Sequence, residues 1–195
     1  MDFAKVVRKR RMIRNYADET VDRATVERIV DLALRGPSAG FSQGQYIVVV
    51  TDEETRRDIA ALADEERYAA LGLPRWISGA PVHIVVCTSE ADYHERYNEP
   101  DKLEGGSEID WPVPYWHVDA GATMMLLLLA AVDEGLGAGF FGVRRLGGLK
   151  ERLGIPDEVT PVGVVTIGHP RGEQPRGSAA RGRKDRSHQV RWERW

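Results

Sequence analysis

The chain has 195 residues, which is enough for one domain with a sizeable core and too few for two full domains. A composition of 42% hydrophobic and 29% charged residues excludes a disordered, fibrous or low-complexity protein. The net charge is -3, yet residues 1–14 hold six Lys/Arg against one Asp and residues 171–195 hold eight Lys/Arg against three acids. An acidic body with two basic ends argues against a protein that coats nucleic acid and fits two ends that meet at one small anion.

The single cysteine, Cys87, excludes a disulfide framework and favours a reducing compartment. The charged start of the chain is not followed by the continuous apolar segment of a signal peptide. The longest apolar run, Ala120 to Val132, has 13 residues, which is too short to cross a bilayer as a helix. We therefore expect a cytoplasmic protein with no membrane span.

The N-terminal run VRKRRMIRNY follows a helical pattern. Phe3, Val6, Val7 and Arg10 share helical spacing, which places Arg10 on the core-facing side, and Asp2 is a candidate N-cap. A solvated helix face, a nucleic acid or a phosphate group would each explain five Lys/Arg in ten residues. We favour phosphate, because guanidinium groups suit it and because the interleaved aromatic side chains that bind nucleic acid are missing here.

Helices and single strands alternate after this run. Asp22 begins a predicted helix that stops at Gly36–Pro37, and the capping-box pair Thr51 and Glu54 begins a third helix that runs to about residue 63. The pattern of residues 64–78 is ambiguous, and we expect a helix that ends before Pro74. Runs rich in β-branched residues predict buried strands at residues 45–51, 80–88 and 161–170.

Three further segments have a special composition. Residues 89–115 are polar and contain Pro and Gly, which predicts a long loop that acts as a partial lid. Residues 116–134 form a predicted helix that is apolar nearly all round, as at a domain centre or a subunit interface. Residues 171–195 form an extended C-terminal arm that would find its missing contacts on a partner subunit. The whole pattern predicts one domain over residues 1–195, either α+β or three-layer α/β around a mixed sheet.

Two glycine-containing loops and the tail hold candidate binding groups. In RGPSAGFSQGQ, the small residues Ser38, Ala39 and Gly40 let backbone N–H groups approach a flat or anionic ligand. The segment GLGAGFFG has the glycine spacing of a dinucleotide fingerprint, but it follows a helix and not a strand, so we reject that interpretation. In RGRKDR, Arg181 and Arg183 either complete a phosphate clamp or remain solvated.

No side chain stands out as a nucleophile or a metal ligand. The five histidines lack metal-binding spacing, and His83, in the middle of a strand, is expected to be a core residue. No serine-nucleophile, nucleotide-triphosphate or paired-carboxylate motif is present. If the protein is an enzyme, we expect a cofactor to supply its chemistry.

Four segments, in order, resemble motifs of the FMN-dependent nitroreductase family. RKRRMIRNY resembles R-R-S-x-R-x-[FY], and LALRGPSAGFSQGQYIVVV resembles A-P-S-x-x-N-x-Q-P-W-x-[FW]-[VI]-V-V. VDAGATMMLLLLAAVDEGLGAGFFG is similar to the central interface helix and the turn after it, and VTIGHP…RGRKDRSHQVRWERW resembles G-x-P…R-x-[RK]-[KR]-P-L. The resemblance implies an α+β, three-layer α/β/α fold with a mixed, mainly antiparallel sheet. It also implies a homodimer with swapped terminal segments and FMN at each of two subunit interfaces.

The resemblance also implies the cofactor contacts. A basic group would meet the phosphate, ribityl chain and pyrimidine edge, an aromatic group would line the ring face, and a tail clamp would complete the phosphate site. A small-residue loop would come from the other subunit. By position, the basic group is Arg10, Arg11, Met12 and Arg14, and the aromatic group is Phe140, Phe141 and Gly142. The tail clamp is Arg181 and Arg183, and the small-residue loop is Pro37, Ser38, Ala39 and Gln43. The aromatic residues Phe41, Trp111 and Tyr115 are candidates for capping the substrate.

The implied reaction is a ping-pong transfer of hydride from NAD(P)H through flavin N5 to a planar oxidant, such as a nitroaromatic or a quinone. Departures from the motifs leave turnover open: Met12 replaces Ser, Phe41 replaces Asn, Gly44 and Gln45 replace Pro-Trp, and Asp185-Arg186 replace Pro-Leu. The alternatives are a flavin-binding or flavin-storage protein, a nucleic-acid-binding protein, or other flavin chemistry, including dehydrogenation, dehalogenation and breakdown of the flavin itself.

Overall fold

A computed structural model describes residues 1–142, 145–174 and 177–195 of the chain. The strands are β1 (Gln45–Val50), β2 (Val82–Ser89), β3 (Gly137–Phe141) and β4 (Val159–Gly168). The α-helices are α1 (Phe3–Lys9), α2 (Arg23–Ala33), α3 (Glu53–Leu62), α4 (Glu65–Ala70), α5 (Glu90–Tyr97), α6 (Tyr115–Asp133) and α7 (Leu146–Leu153). Short 3₁₀ turns lie at Ala39–Phe41, Gly177–Arg181 and Arg186–His188.

The four strands form one sheet in the order β1-β2-β4-β3, so that β1 and β3 are its edges. The described pairings between strands are antiparallel, and the one parallel contact is the isolated bridge between Met12 and Ala138. This confirms the predicted α+β class with a mainly antiparallel sheet.

Helices cover both faces of the sheet, as the three-layer prediction requires. Strand β2 is buried along its whole length, and its residues alternate between two cores. Val82, Ile84 and Val86 pack with α2 and α6, whereas Val85 and Cys87 pack with α3 and α7. A strand buried on both faces explains why its sequence is a continuous apolar run.

Two predicted helix starts are wrong in detail. Helix α1 ends at Lys9, so Arg10 lies just beyond it. Val6 is buried, but Phe3 is 72% exposed. The predicted core-facing side that contains Phe3, Val6 and Arg10 is therefore not formed. Asp2 makes no side-chain capping bond. Helix α3 is capped by Asp52, which accepts a hydrogen bond from the Thr55 N–H at 2.8 Å, and not by Thr51. The predicted Asp22 cap of α2 is confirmed.

Two other expectations need correction. The predicted long loop at residues 89–115 contains α5, which Ser89 caps by accepting from the Asp92 N–H, so the irregular stretch is confined to residues 98–114. The glycine-rich segment that follows α6 contains an edge strand, β3, where we expected a turn. It still lacks the strand–turn–helix order of a dinucleotide fingerprint, because it follows a helix.

Helix α6 is longer than its central apolar run suggests. It has 19 residues with a mean hydropathy of 1.4, so by length and composition alone it would pass as a membrane-crossing helix. One side of the helix packs on the sheet and on α2. Within the single chain, 44% of its most apolar 18-residue stretch is buried. Val118 and Met125 remain exposed on its other side.

The start of the C-terminal tail returns to the N-terminal run. The Ala17 N–H donates to the His169 carbonyl at 2.8 Å, and the Arg171 N–H donates to the Asn15 carbonyl at 3.0 Å. Residues 179–195 are exposed throughout. The tail therefore passes beside the basic run first and then leaves the body of the chain.

Candidate functional site

A cavity of about 280 Å³ lies at the end of β3. It brings together four of the residues predicted to bind the cofactor, namely Arg14, Phe140, Phe141 and Gly142. Its other lining residues come from the end of α3 and from the segment that follows it, and they are Ala63, Tyr68, Leu73, Trp76 and Ile77.

The basic run reaches this cavity because it lies along the edge strand. The Ile13 N–H donates to the Ala138 carbonyl at 2.9 Å, next to the Met12–Ala138 bridge. A Cβ at Gly139 would lie 2.5 Å from the Ile13 carbonyl oxygen and 2.8 Å from the Thr166 hydroxyl oxygen. Glycine is thus required at position 139, because only a residue without a side chain lets the two backbone segments approach so closely.

Tyr16 fixes the far end of the basic run. Its hydroxyl is buried and makes a 2.8 Å hydrogen bond with the Thr166 hydroxyl on β4. Burial raises the pKa of Tyr16 above its usual value, so the phenol stays neutral and serves as an anchor. Arg14, two residues earlier, is thereby held at the mouth of the cavity.

The cavity walls are aromatic and carry one cation. The Arg14 guanidinium carbon lies 5.6 Å from the centroid of the Trp76 ring. The Phe141 ring meets Trp76 edge to face, with centroids 5.6 Å apart and an interplanar angle of 88°. Aromatic walls with a single guanidinium suit a planar ligand that has an electron-rich or anionic edge.

The other basic residues predicted to bind phosphate are not gathered at this cavity. Arg11 is exposed and donates to the backbone carbonyls of Arg8 and Arg10. Arg181 and Arg183 are exposed, and among the described residues no hydrogen bond or ion pair joins them to the N-terminal run. Among the described residues of the tail, Gln174 makes a hydrogen bond to Arg14: its side-chain oxygen accepts from the Arg14 N–H at 2.8 Å.

The small-residue loop forms a second, separate cluster. The Ala39 N–H donates to the buried carboxylate of Asp119 at 2.9 Å, and the Tyr93 hydroxyl donates to the same oxygen at 2.8 Å. Burial, followed by its bond to Asp119, raises the pKa of Tyr93, so this phenol keeps its proton. The Gln43 N–H donates to the Ser38 hydroxyl at 3.0 Å, which closes the loop on itself.

The predicted substrate residues lie beside this second cluster. Trp111 packs against Tyr97 with ring centroids 4.6 Å apart, and against Tyr115 at 6.3 Å. Tyr97 in turn occupies the space where a Cβ at Gly40 would be, only 2.6 Å away. Phe41 projects from the same loop into solvent. The aromatic loop residues and the small-residue loop therefore form one surface.

The two clusters lie at opposite edges of the sheet. The loop that ends at Gly44 leads directly into the edge strand β1, whereas the cavity lies at the end of the edge strand β3. Three strand spacings separate these edges, which amounts to about 14 Å before any displacement along the strands. One chain therefore presents two clusters of predicted site residues that do not face each other.

The part of the chain that the structure describes holds no metal-binding cluster, and the two buried reactive side chains of β2, Cys87 and His83, are unsuited to catalysis. Three or more metal-ligating side chains do not come together there. Burial raises the pKa of the Cys87 thiol to about 11, which makes it a poor nucleophile. Burial lowers the pKa of His83 to about 4, and its Nε2 bonds to the Ile77 carbonyl at 2.7 Å, so the prediction of a core histidine is confirmed.

Sequence reasoning missed two residues that shape these clusters. Trp76 lies in the segment that was ambiguous from sequence, and its only signal was an isolated aromatic residue after a proline. Asp119 lies on the apolar helix α6, where one acidic residue in a long hydrophobic run marks a buried polar partner.

The chain matches the Nitroreductase family over residues 7–169. It is 30% identical to a putative NADH dehydrogenase/NAD(P)H nitroreductase of Archaeoglobus fulgidus, with 96% of this chain and 97% of the relative covered. It is 31% identical to a 5,6-dimethylbenzimidazole synthase of Rhodospirillum rubrum, with 85% and 81% covered. A solved nitroreductase family protein of Streptococcus pneumoniae has the same fold, with a TM-score of 0.76, 21% identity, and 99% and 100% of the two chains covered.

The family match and the named relatives support an NAD(P)H-dependent flavin oxidoreductase. The chain belongs to the nitroreductase family, as the four sequence motifs predicted.

Proposed function

We propose that the protein is a homodimeric, FMN-dependent enzyme that takes a hydride from NAD(P)H and passes it to a planar oxidant, such as a nitroaromatic or a quinone, in a ping-pong cycle. The observation that supports this proposal best is the aromatic cavity that contains Arg14. The described residues hold no metal-binding cluster, and side chains alone do not carry out hydride transfer, so a bound flavin would supply the redox chemistry.

The residues of the cavity fit a flavin ring. Trp76, Phe140 and Phe141 offer apolar surface, and Arg14 offers a cation for the polar edge of an isoalloxazine. The volume of about 280 Å³ lies at the lower limit for ligand pockets, so one chain provides only part of a site for a molecule as large as FMN. When bound, the flavin would supply the hydride-accepting and hydride-donating chemistry that the side chains lack.

The chain would contribute binding and electrostatics. The aromatic walls exclude water on one side, and in that drier environment the positive charge of Arg14 has a larger effect than it would have in bulk solvent. A fixed cation stabilises negative charge that develops in its neighbourhood, which is the role we assign to Arg14. Arg10, Arg11, Arg181 and Arg183 would neutralise the phosphate, with Met12 as a neighbouring contact.

The second half of the site would come from a partner subunit. The loop with Pro37, Ser38, Ala39 and Gln43 presents small residues, but it lies across the sheet from its own cavity. A two-fold dimer would place this loop over the other subunit's cavity, with the exposed side of α6 in the interface and the C-terminal arms exchanged. Phe41, Trp111 and Tyr115 would then border the substrate, with residues 89–115 as a partial lid.

Three departures from the family motifs, at Gly44, Gln45 and Met12, have identifiable contacts within the chain. A Cβ at Gly44 would lie 2.8 Å from the Tyr93 ring and 2.9 Å from the Ser89 carbonyl oxygen, so this chain needs glycine there. The Gln45 side chain donates to the Tyr93 hydroxyl. Met12 packs half-buried against the core and does not offer a hydroxyl group.

The direct test is a visible absorption spectrum of the purified protein, followed by anaerobic addition of NADPH. We expect a yellow protein whose flavin band bleaches. Arg14→Ala should lower the rate of this bleaching by about tenfold or more, because it removes the charge that stabilises the reduced state. Arg8→Ala is the matched control, since Arg8 belongs to the same basic run but is exposed on α1.

Other outcomes would replace the proposal. A colourless protein that gains no colour with added FMN, and whose affinity for DNA falls steeply with salt, would indicate nucleic-acid binding. A yellow protein that neither NADH nor NADPH bleaches would indicate flavin storage. Permanent loss of the flavin spectrum under air would indicate breakdown of the flavin itself.

A further inference from the structure

Trp76 is a cavity residue whose ring lies under the guanidinium of the predicted cofactor-binding arginine. The guanidinium carbon of Arg14 lies 5.6 Å from the centroid of its ring, within the range of a cation–π interaction. The tryptophan is only 5% exposed, and it comes from a segment that no sequence motif singled out.

The ring is held rigidly from two sides. Phe141 packs edge to face against it, and a Cβ at Gly139 would lie 2.9 Å from its Cζ3 atom. The strand β3 thus contacts the ring through a glycine and through an aromatic side chain at the mouth of the cavity. Trp76 has little freedom to move without moving the edge of the sheet.

The backbone next to Trp76 is tied down by buried polar groups. The Glu65 carboxylate is buried and accepts from the N–H groups of Ile77 at 2.6 Å and Ser78 at 3.1 Å. The Arg56 guanidinium donates to the Ala80 carbonyl at 2.6 Å and to the Ser78 carbonyl at 3.1 Å. Charge-assisted bonds of this kind are strong and costly to break, so the segment is a fixed platform.

Arg14, by contrast, has few constraints of its own. Its backbone N–H is held by Gln174 at 2.8 Å. Among the described residues, its guanidinium makes no hydrogen bond or ion pair. An arginine side chain has many rotamers, and the face of Trp76 is the contact that selects among them.

We propose that Trp76 is a positioning residue, which holds the guanidinium of Arg14 in the cavity through its ring face and so orders this charge before the cofactor binds. This inference rests on the proposed function for its consequence, since the ordered charge matters only if a flavin occupies the cavity. The ordering itself is a property of the protein without any ligand.

The first measurement uses the flavin-free protein. The Nε–Hε resonance of Arg14, identified by its disappearance in Arg14→Lys, should lie upfield of the other arginines because of the ring current of Trp76. Trp76→Leu should remove this shift and Trp76→Phe should keep part of it. An unshifted Arg14 resonance in the wild-type protein would overturn the proposal, whether or not the Trp76 variants fold.

The second measurement is FMN affinity, by titration of the flavin-free protein. We expect Trp76→Leu to weaken binding by about three- to tenfold and Trp76→Phe to restore most of it, because phenylalanine keeps a π face. Leu71→Ala, a truncation at an exposed position in the same segment, is the control and should change nothing. Equal affinity in Trp76→Leu and the wild type would also overturn the proposal.

The two measurements separate the two claims. A wild-type protein that shows the shifted resonance but binds no FMN would refute the proposed function and leave the ordering of Arg14 by Trp76 established. A protein that binds and reduces FMN but shows no shifted Arg14 resonance would support the proposed function and refute the ordering of Arg14 by Trp76.

Discussion

Phe41 combines two features that folded chains usually avoid. Its side chain is 74% exposed, and its backbone has φ 59°, in the left-handed region that favours glycine. Gln43, two residues later, has φ 55°. Strain and exposed aromatic surface in one loop suggest that Phe41 is retained for a contact outside its own chain.

Phe41→Gly should therefore have opposite effects on stability and on catalysis. We expect the free energy of unfolding to rise by about 0.5–1 kcal/mol, because glycine relieves the left-handed conformation, while the KM for the oxidant rises because the aromatic cap is lost. Thermal unfolding and steady-state kinetics measure the two effects.

Phe41→Ala is the matched variant, since it removes the ring but keeps the strained backbone. It should raise the KM without the gain in stability. If both variants leave the KM unchanged, Phe41 does not border the substrate.

The carboxylate of Glu108 ties the irregular segment at residues 98–114 to helix α5. Glu108 accepts from His94 Nδ1 at 2.6 Å, from Trp111 Nε1 at 2.6 Å and from the Asn98 side chain at 3.0 Å. Hydrogen bonds from Trp111 and then His94 lower the pKa of Glu108, and the bond to Glu108 raises the pKa of His94. Glu108 is therefore negatively charged while His94 is positively charged over a wide pH range.

The direction of each pKa shift gives the pH window. The contribution of Glu108 is present above its unfolded value of 4.5 and is lost as the pH falls through its lower folded value. The contribution of His94 is present below its unfolded value of 6.5 and is lost as the pH rises through its higher folded value. The contact is at full strength between these limits and weakens in alkaline solution.

Hydrogen exchange of a peptide that spans residues 98–111 tests this contact. We expect more protection at pH 6 than at pH 8.5, after correction for intrinsic exchange, and we expect Glu108→Gln to lower the protection and flatten its pH dependence. A peptide from β2 should behave alike in both proteins. The same pH dependence in the variant would show that Glu108 does not hold the segment.

The difference between what sequence could and could not predict follows from what determines each element. The strand at Val82–Ser89 was predictable because burial on both faces requires a continuous apolar run. Strand β3 could not be predicted, because its glycines have low strand propensity. Glycine is needed there because Ile13 and Trp76, from distant parts of the chain, approach the strand closely.

The same distinction applies to the site. Arg14, Phe140, Phe141 and Gly142 were predictable, because their short motifs carry a recognisable order. Trp76 was not, because its importance comes from a contact with Arg14, 62 positions away in the numbering, and from the buried bonds that hold its segment. Helix α5 was missed because its polar sequence offers only two buried or partly buried aromatic residues as a signal.

In the proposed dimer, the cavity of one chain and the small-residue loop of its partner make up one site, which leads to a prediction about mixed dimers. Arg14→Ala damages the cavity and Ser38→Trp blocks the loop, so each protein alone should keep at most about one tenth of the wild-type activity in reduction of the oxidant. If both are unfolded, mixed and refolded together, about half of the dimers are mixed and each of these has one intact site, so activity should return to about one quarter of the wild-type value.

The control is to unfold and refold either variant by itself, which should not increase its activity. If mixing restores none either, the two halves of the site come from the same chain, and the proposed arrangement of the dimer is wrong.

The only thiol of the chain lies where no reagent can reach it. Cys87 is fully buried on the central strand β2, and its raised pKa keeps it protonated. Quinones are electrophiles that add to exposed thiolates, so an enzyme that reduces them would inactivate itself through an accessible cysteine. This chain avoids that side reaction, and it also offers an unreactive background in which one engineered surface cysteine would carry a single label.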